Sequence, residues 1–431
     1  MMRAMSRVRV FVLACGLCLG SVPAVAQSGT CSALSQTTFV RDTLDELYYW
    51  YRNLPDVDPA REATPEAFLD AVRFRPLDRT FSYVTSRAAN DAFFSDSQFI
   101  GLGVTTSQVG GELHVLQVFE GSPAAEAGLD RGTRIDTVDG VRAADLIAAG
   151  TLDAALGPAQ DGLAVTLGFN TRGGERRTAT LRKRTVAIPT VSLTRVFEVG
   201  GRRVGYLFFR NFVRPSVQAL DAAFDALAAA RVDELVLDLR YNGGGLVDVA
   251  VHLASLVAGG GHADAVFAES RHNDRNRRLN ETLRFTAPAA ALALSRLVVI
   301  TTRASASASE LVINGLRPFM PVVVVGDRTY GKPVGQYLLP FCDKVLAPVS
   351  FAMVNAAGDG DYFDGLPVTC AAADDITHDL GDPVEASLQE ALRYVASGAC
   401  SPVPAAAARR LAMEAGPAPA AIGWRSLVNA R

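Results

Sequence analysis

Two short β-branched runs, Leu297-Val298-Val299-Ile300-Thr301-Thr302 and Pro321-Val322-Val323-Val324-Val325, constrain the chain most. Each is long enough for a buried strand. Between them, Leu311-Val312-Ile313-Asn314-Gly315-Leu316 has helical spacing, and Ser309 and Glu310 occupy first-turn positions. A strand, a helix and a second strand are therefore expected, with Ser307 where the first strand ends and the helix begins. Backbone N–H groups at such a junction lack intrahelical acceptors and point at whatever lies beside the serine hydroxyl. The second run leads through Gly326 into a loop carrying Lys332, so two loops at one end of the strands can bring Ser307 and Lys332 together.

A serine hydroxyl is a weak nucleophile and needs a base, and a lysine serves if its surroundings hold it neutral. The chain has only three lysines, Lys183, Lys332 and Lys344, and leaves ordinary surface charge to arginine. Arginine cannot replace a lysine base because it does not deprotonate. A serine- and alanine-rich turn beside an exposed loop lysine is the plain structural alternative.

Ser307-Ala308-Ser309-Glu310, then Gly326-Asp327-Arg328-Thr329-Tyr330-Gly331-Lys332 and Gln336, resembles the active site of the C-terminal processing (tail-specific) proteases. The resemblance implies Ser307 as nucleophile, Lys332 as general base and Gln336 as the group that orients the base. Pro333 stands where many members have glycine. Farther upstream, Asp238-Leu239-Arg240-Tyr241-Asn242-Gly243-Gly244-Gly245 is similar to the family's Arg-x-Asn-Pro-Gly-Gly stretch, with Gly243 in place of proline. Carried over, the N–H groups of Gly244 and Ala308 form the oxyanion hole. A phosphate loop is the competing idea for these glycines, but no Gly-Lys-Ser/Thr follows and Gly-x-Gly-x-x-Gly is absent.

Phe99-Ile100-Gly101-Leu102-Gly103-Val104, Gly121-Ser122-Pro123-Ala124-Ala125-Glu126-Ala127-Gly128-Leu129 and Gly132 to Gly140 together resemble a PDZ domain. The resemblance implies that Gly101, Leu102, Gly103 and Val104 hold a peptide's C-terminal carboxylate while the peptide adds as a strand. A glycine-flanked hairpin is the alternative.

The implied fold is multidomain α+β: an N-terminal helical region over 27–95, a β-rich PDZ domain over 96–187, and an αβ catalytic domain of the ClpP/crotonase-like type over 188–400. Helices are expected over Gln36–Asn53 and from Thr64 toward Phe74. Further helices are expected from Ser216 to about Ala230, over Val247–Val257 and over Val384–Ala396. Lys344 to Ala356 reads as one strand. Before the fold, Met1 to Ala26 reads as a signal peptide, with Arg3, Arg7 and Arg9, an apolar stretch from Val10 to Val22, and an Ala24-Val25-Ala26 cleavage site. An uncleaved anchor or lipidation at Cys15 or Cys18 is the alternative. The tail 401–431 is rich in alanine and proline.

Cleavage leaves Cys31, Cys342, Cys370 and Cys400, an even number in an exported chain, which suggests disulfides. The expected pairing is Cys342–Cys370, within one apparent subdomain, and Cys31–Cys400, which bracket the folded part. His114, His252, His262, His272 and His378 are scattered without ligand spacing, so no metal site is expected. Asp359-Gly360-Asp361-Tyr362-Phe363-Asp364-Gly365 has the acidic spacing of a calcium loop but lacks its closing glutamate, and reads as a turn-rich loop. No cofactor is implied. The net charge of −3 gives no reason to expect nucleic acid or an acidic membrane surface as partner.

Taken together, these features predict an exported serine endopeptidase, periplasmic or secreted, acting on proteins or peptides with apolar C-termini. Membrane association is expected only if the first segment is retained or lipidated, and the sequence does not fix an oligomeric state. A non-catalytic PDZ peptide-binding protein and a crotonase-like acyl-transfer enzyme are the alternatives.

Overall fold

A computed structural model describes residues 31–402. The expected signal peptide and most of the tail lie outside the described residues. Residues 191–397 are built on a six-stranded sheet. Its strands, in spatial order, are Val191–Val199, Arg202–Phe209, Glu234–Asp238, Leu297–Thr301, Val322–Gly326 and Cys370–Ala371. The first pair is antiparallel and every later pair is parallel. Strands buried on both faces read as continuous apolar runs, and Leu297, Val298, Val299 and Ile300 are all fully buried. Helices Ser216–Ala229, Val247–Ala258 and Ala308–Leu316 contribute to the core on one face. Helix Ala386–Ser397 packs through Leu388, Ala391, Leu392 and Val395 into the core on the other.

Because Glu234–Asp238, Leu297–Thr301 and Val322–Gly326 run parallel, the loops after all three open at one end of the sheet. Ligand sites of open α/β sheets lie outside the carboxyl ends of their strands. Ser307, Lys332 and the glycine stretch 243–245 belong to these three loops.

The segment expected as one strand from Lys344 to Ala356 is two, Lys344–Ala347 and Val349–Asn355, broken at Pro348. Proline lacks a ladder donor. The chain turns there from a small sheet with Tyr83–Ser86 and Leu339–Phe341 into a four-stranded sheet with Val266–His272, Glu281–Arg284 and Val334–Gln336.

The first helix runs Ala33–Leu47, shorter than the expected Gln36–Asn53. Tyr48 leaves it with an extended ψ of 132°, and the Tyr49 N–H donates to the carbonyl of Val349 at 2.8 Å. That hydrogen bond to the start of strand Val349–Asn355 draws the chain out of the helix. With Pro65–Val72, this helix packs on Val334, Phe341, Leu346 and Val349. The N-terminal helices thus share a core with residues 334–349 rather than standing apart.

Residues 98–187 form a β-rich unit with its own core, including Leu102, Val115, Ile135, Val138, Leu167 and Phe169. Its sheet places Val104–Val109 at an edge, paired on one side only, with Glu112–Val118. No helix among the described residues is long and apolar enough to cross a membrane.

Two disulfides, Cys31–Cys342 and Cys370–Cys400, replace the expected pairing of Cys342 with Cys370 and Cys31 with Cys400. The topology accounts for both pairs. Cys342 sits in the turn between Leu339–Phe341 and Lys344–Ala347, on the small sheet, where Phe341 stacks on Phe39 of the first helix at 4.7 Å. Cys370 lies in the edge strand of the large sheet, and helix Ala386–Ser397 brings the chain back to it. Glu390 lies beside Cys370 and Cys400, but both sulfurs are spent on each other.

Candidate active site

Ser307 is the N-cap of helix Ala308–Leu316, at φ 55° and ψ −114°. Residues other than glycine avoid such a conformation, and holding one there costs on the order of 1–3 kcal/mol. Its surroundings over-determine the bend. Ser305 Oγ donates to the Leu239 carbonyl at 2.7 Å, the Ala306 N–H to the Asn242 carbonyl at 3.0 Å, and Ser309 Oγ to the same carbonyl at 2.9 Å. Ser307 itself remains part-exposed while Ala306 and Ala308 are buried. The serine is therefore reachable on a rigid turn.

Glu310 is fully buried, with its carboxylate between the two loops. It accepts the N–H of Ser307 at 2.8 Å, of Gly331 at 2.7 Å and of Lys332 at 2.9 Å, and the hydroxyl of Thr329 at 2.5 Å. Burial raises its pKa above the ordinary value, and the four hydrogen bonds oppose that rise. Sequence spacing marked Glu310 only as a first-turn residue. Its role of tying the backbone of the serine to that of the lysine was not read there.

Lys332 is buried, and Nζ donates to Oε1 of Gln336 at 2.5 Å. Gln336 is fixed in turn, with Nε2 donating to the carbonyls of Phe81 at 2.5 Å and Ala347 at 2.9 Å. The Phe81 ring centre lies 5.8 Å from Lys332 Nζ. Buried Asp78 shapes the segment presenting Phe81, accepting the N–H groups of Phe81 and Ser82, both at 2.9 Å, and the Tyr48 hydroxyl at 2.8 Å. The N-terminal region thus supports the lysine, a contribution the sequence signalled only through its apolar helix face. Pro333 fits without loss, because its carbonyl accepts the Met353 N–H at 2.9 Å and strand Val334–Gln336 begins directly after it.

Gly244 packs against the serine turn. At φ 96°, a Cβ built there would lie 2.7 Å from the Ala308 nitrogen and 2.8 Å from Ser307 Cβ. Its N–H donates to Oδ1 of Asn242 at 2.9 Å. The N–H of Ala308, first in its helix, has no acceptor within the helix. Arg240 anchors the glycine stretch from below, fully buried between Asp238 at 2.7 Å and Glu385 at 2.8 Å. Tyr241, at φ 62°, donates its hydroxyl to Asp374 and receives Arg131 of the β-rich unit at 2.7 Å.

The peptide-binding candidates Gly101, Leu102, Gly103 and Val104 lie some way along the chain, where Gln98–Gly101 passes into the edge strand. All four are buried, and the carbonyls of Leu102 and Gly103 accept the N–H groups of Ala124 and Phe119 at 2.9 Å each.

Residues 203–367 match the model of Peptidase family S41, and residues 35–83 match the Peptidase S41 N-terminal domain. The chain is similar to peptidase family S41 in both stretches. Among its relatives is a carboxy-terminal-processing protease of Bartonella bacilliformis, 27% identical over 300 residues, covering 68% of this chain and 65% of that one. The carboxy-terminal processing protease CtpB of Bacillus subtilis is 26% identical over 330 residues, covering 75% and 64%. The matched stretches thus fall short of two thirds of these relatives' lengths. A solved Bacteroides fragilis structure assigned to the S41 proteases covers 84% of this chain and 97% of its own, with a TM-score of 0.66 and 27% identity. The photosystem II D1 C-terminal processing protease, at 22% identity and a TM-score of 0.52, shares the fold.

Proposed function

We propose that this chain is an exported serine endopeptidase of family S41 and of the C-terminal processing type, working through Ser307 and Lys332 with Gln336 orienting the base. The observation that carries the reading is the shared carboxylate of Glu310, which holds the Ser307 and Lys332 backbones together while Gln336 fixes Nζ.

In the reaction, neutral Lys332 takes the Ser307 proton as the hydroxyl oxygen attacks a peptide carbonyl. The tetrahedral oxyanion accepts the Ala308 N–H and that of Gly244, which exchanges its bond to Asn242 for the new one. Lysine then gives the proton to the departing amine, and the acyl group stays on serine. Water attacks the ester, passing a proton to the same lysine, and Ser307 is restored.

The unit 98–187 is read as the PDZ domain. Its free edge at Val104–Val109 supports strand addition by a substrate's C-terminal segment, with Gly101 to Val104 at the carboxylate end. The Met1–Ala26 segment and two disulfides support export.

Digestion of an unfolded protein by wild type, Ser307→Ala and Lys332→Ala tests the reading. Cleavage by wild type alone is expected, and equal cleavage by all three proteins refutes it.

A further inference from the structure

Arg210 follows the strand Arg202–Phe209 and turns its side chain into a pocket between the β-rich unit and the glycine stretch. Thr105, Gln117 and Phe119 line that pocket from one side, and Asn211, Gly243 and Gly244 from the other. Nε and Nη1 of Arg210 are closed off from solvent and meet no acceptor among the described residues. The guanidinium stacks on Phe119 and Phe208, its carbon 4.7 and 5.5 Å from the ring centres. Beside it, Oδ1 of Asn211 also lacks a partner, while its Nδ2 donates to Ser97 Oγ at 3.1 Å. Burial alone pushes the Arg210 pKa down to about 10, so the group is still cationic at neutral pH.

Buried charges are normally paired. A covered guanidinium with idle donors, next to an idle carbonyl oxygen, is a site waiting for an anion attached to an N–H group. The pocket, about 30 Å³ on a measure where one water needs about 10–15 Å³, has room for a small anionic group. Thr105 belongs to the free edge strand, and Gly244 touches the turn of Ser307. A peptide lying along that edge and reaching the serine would pass this pocket.

We propose that Arg210 determines specificity by binding a carboxylate of the bound peptide here, close to the bond that Ser307 attacks, with Asn211 Oδ1 accepting an adjacent peptide N–H. The inference rests on the peptidase reading above. The carboxylate is either the peptide's C-terminus or an aspartate or glutamate side chain.

Equilibrium binding of fluorescent peptides to the full Ser307→Ala chain tests it without needing turnover. One peptide pair carries a free or amidated C-terminus, and a second series replaces each internal glutamate by glutamine. Removal of the relevant carboxylate should weaken binding roughly 10- to 100-fold. That discrimination should vanish with Arg210→Met and be partly kept with Arg210→Lys. Whichever pair shows the effect identifies the source of the carboxylate. Because the Arg210 side chain leaves no hydrogen-bond acceptor stranded and methionine can still pack on Phe119 and Phe208, Arg210→Met should melt no earlier than its parent. Discrimination that survives Arg210→Met, or its absence in the parent, overturns the proposal. Failure of the peptidase reading shows separately, as wild type that binds these peptides with the Arg210-dependent preference yet cleaves none.

Discussion

Glu310 accepts the backbone N–H of Ser307 at 2.8 Å, from inside the helix that Ser307 begins. The same carboxylate reaches Lys332, so a change at Glu310 moves both reacting residues at once. Glu310→Gln should lower kcat at least 100-fold, because its NH2 group faces donors, and each unmet buried group costs about 1–3 kcal/mol. A near-normal kcat in a folded Gln variant would refute this.

Acid should silence the enzyme before it unfolds it. Burial raises the Glu310 pKa above its ordinary 4.5, so on acidification it takes up a proton before exposed glutamates do. One carboxylate oxygen then becomes a donor and releases an N–H or the Thr329 hydroxyl. The stability contribution has the opposite sign, since a raised folded pKa favours the folded state at low pH and loses that favour as pH rises through the folded value. The expected result is a second loss of activity, at lower pH than the limb set by Lys332 but above pH 4.5, with the thermal midpoint preserved across it. Parallel loss of activity and midpoint would contradict it.

Lys332→Arg should be as inactive as Lys332→Ala, since arginine remains protonated. Gln336→Glu places a negative charge where Oε1 now meets Nζ at 2.5 Å and favours the ammonium form. Its pH–rate profile should move to higher pH. An unchanged profile would argue against lysine as the base.

Gly244→Ala should abolish activity, because a methyl group would sit 2.7 Å from the Ala308 nitrogen, inside the space proposed for the oxyanion. Ser307→Gly should be inactive yet more stable than Ser307→Ala by about 1 kcal/mol, as glycine tolerates φ 55°. Thermal melts of the two variants decide it.

Non-reducing peptide mapping should recover Cys31 linked to Cys342 and Cys370 linked to Cys400. Replacing Cys370 and Cys400 by serine should cost roughly 3–4 kcal/mol in the chain-entropy picture for a separation of 30 residues.

Much of this was legible from local pattern. Strand, turn and helix around Ser307 follow from a β-branched run ending at a small-residue cap, and the Lys332 loop from a second such run. What could not be read were relations between residues far apart in the chain. Phe81 holds Gln336 across 255 residues, a contact that only folding creates. The cysteine pairing failed for the same reason. Nearness in sequence suggested Cys342 with Cys370, whereas Cys342 lies on the small sheet and Cys370 in the edge strand of the large one. Glu310 was in view, but spacing says nothing about how many donors converge on a carboxylate.

The Cys31–Cys342 bond closes a ring over 311 residues, from the start of the first helix to beyond the base. A nick at any single bond within that span, including one the enzyme makes in another copy of itself, leaves the two pieces covalently joined. Such clipped molecules would run as one band until reductant is added, and a preparation judged intact without it could already be cut.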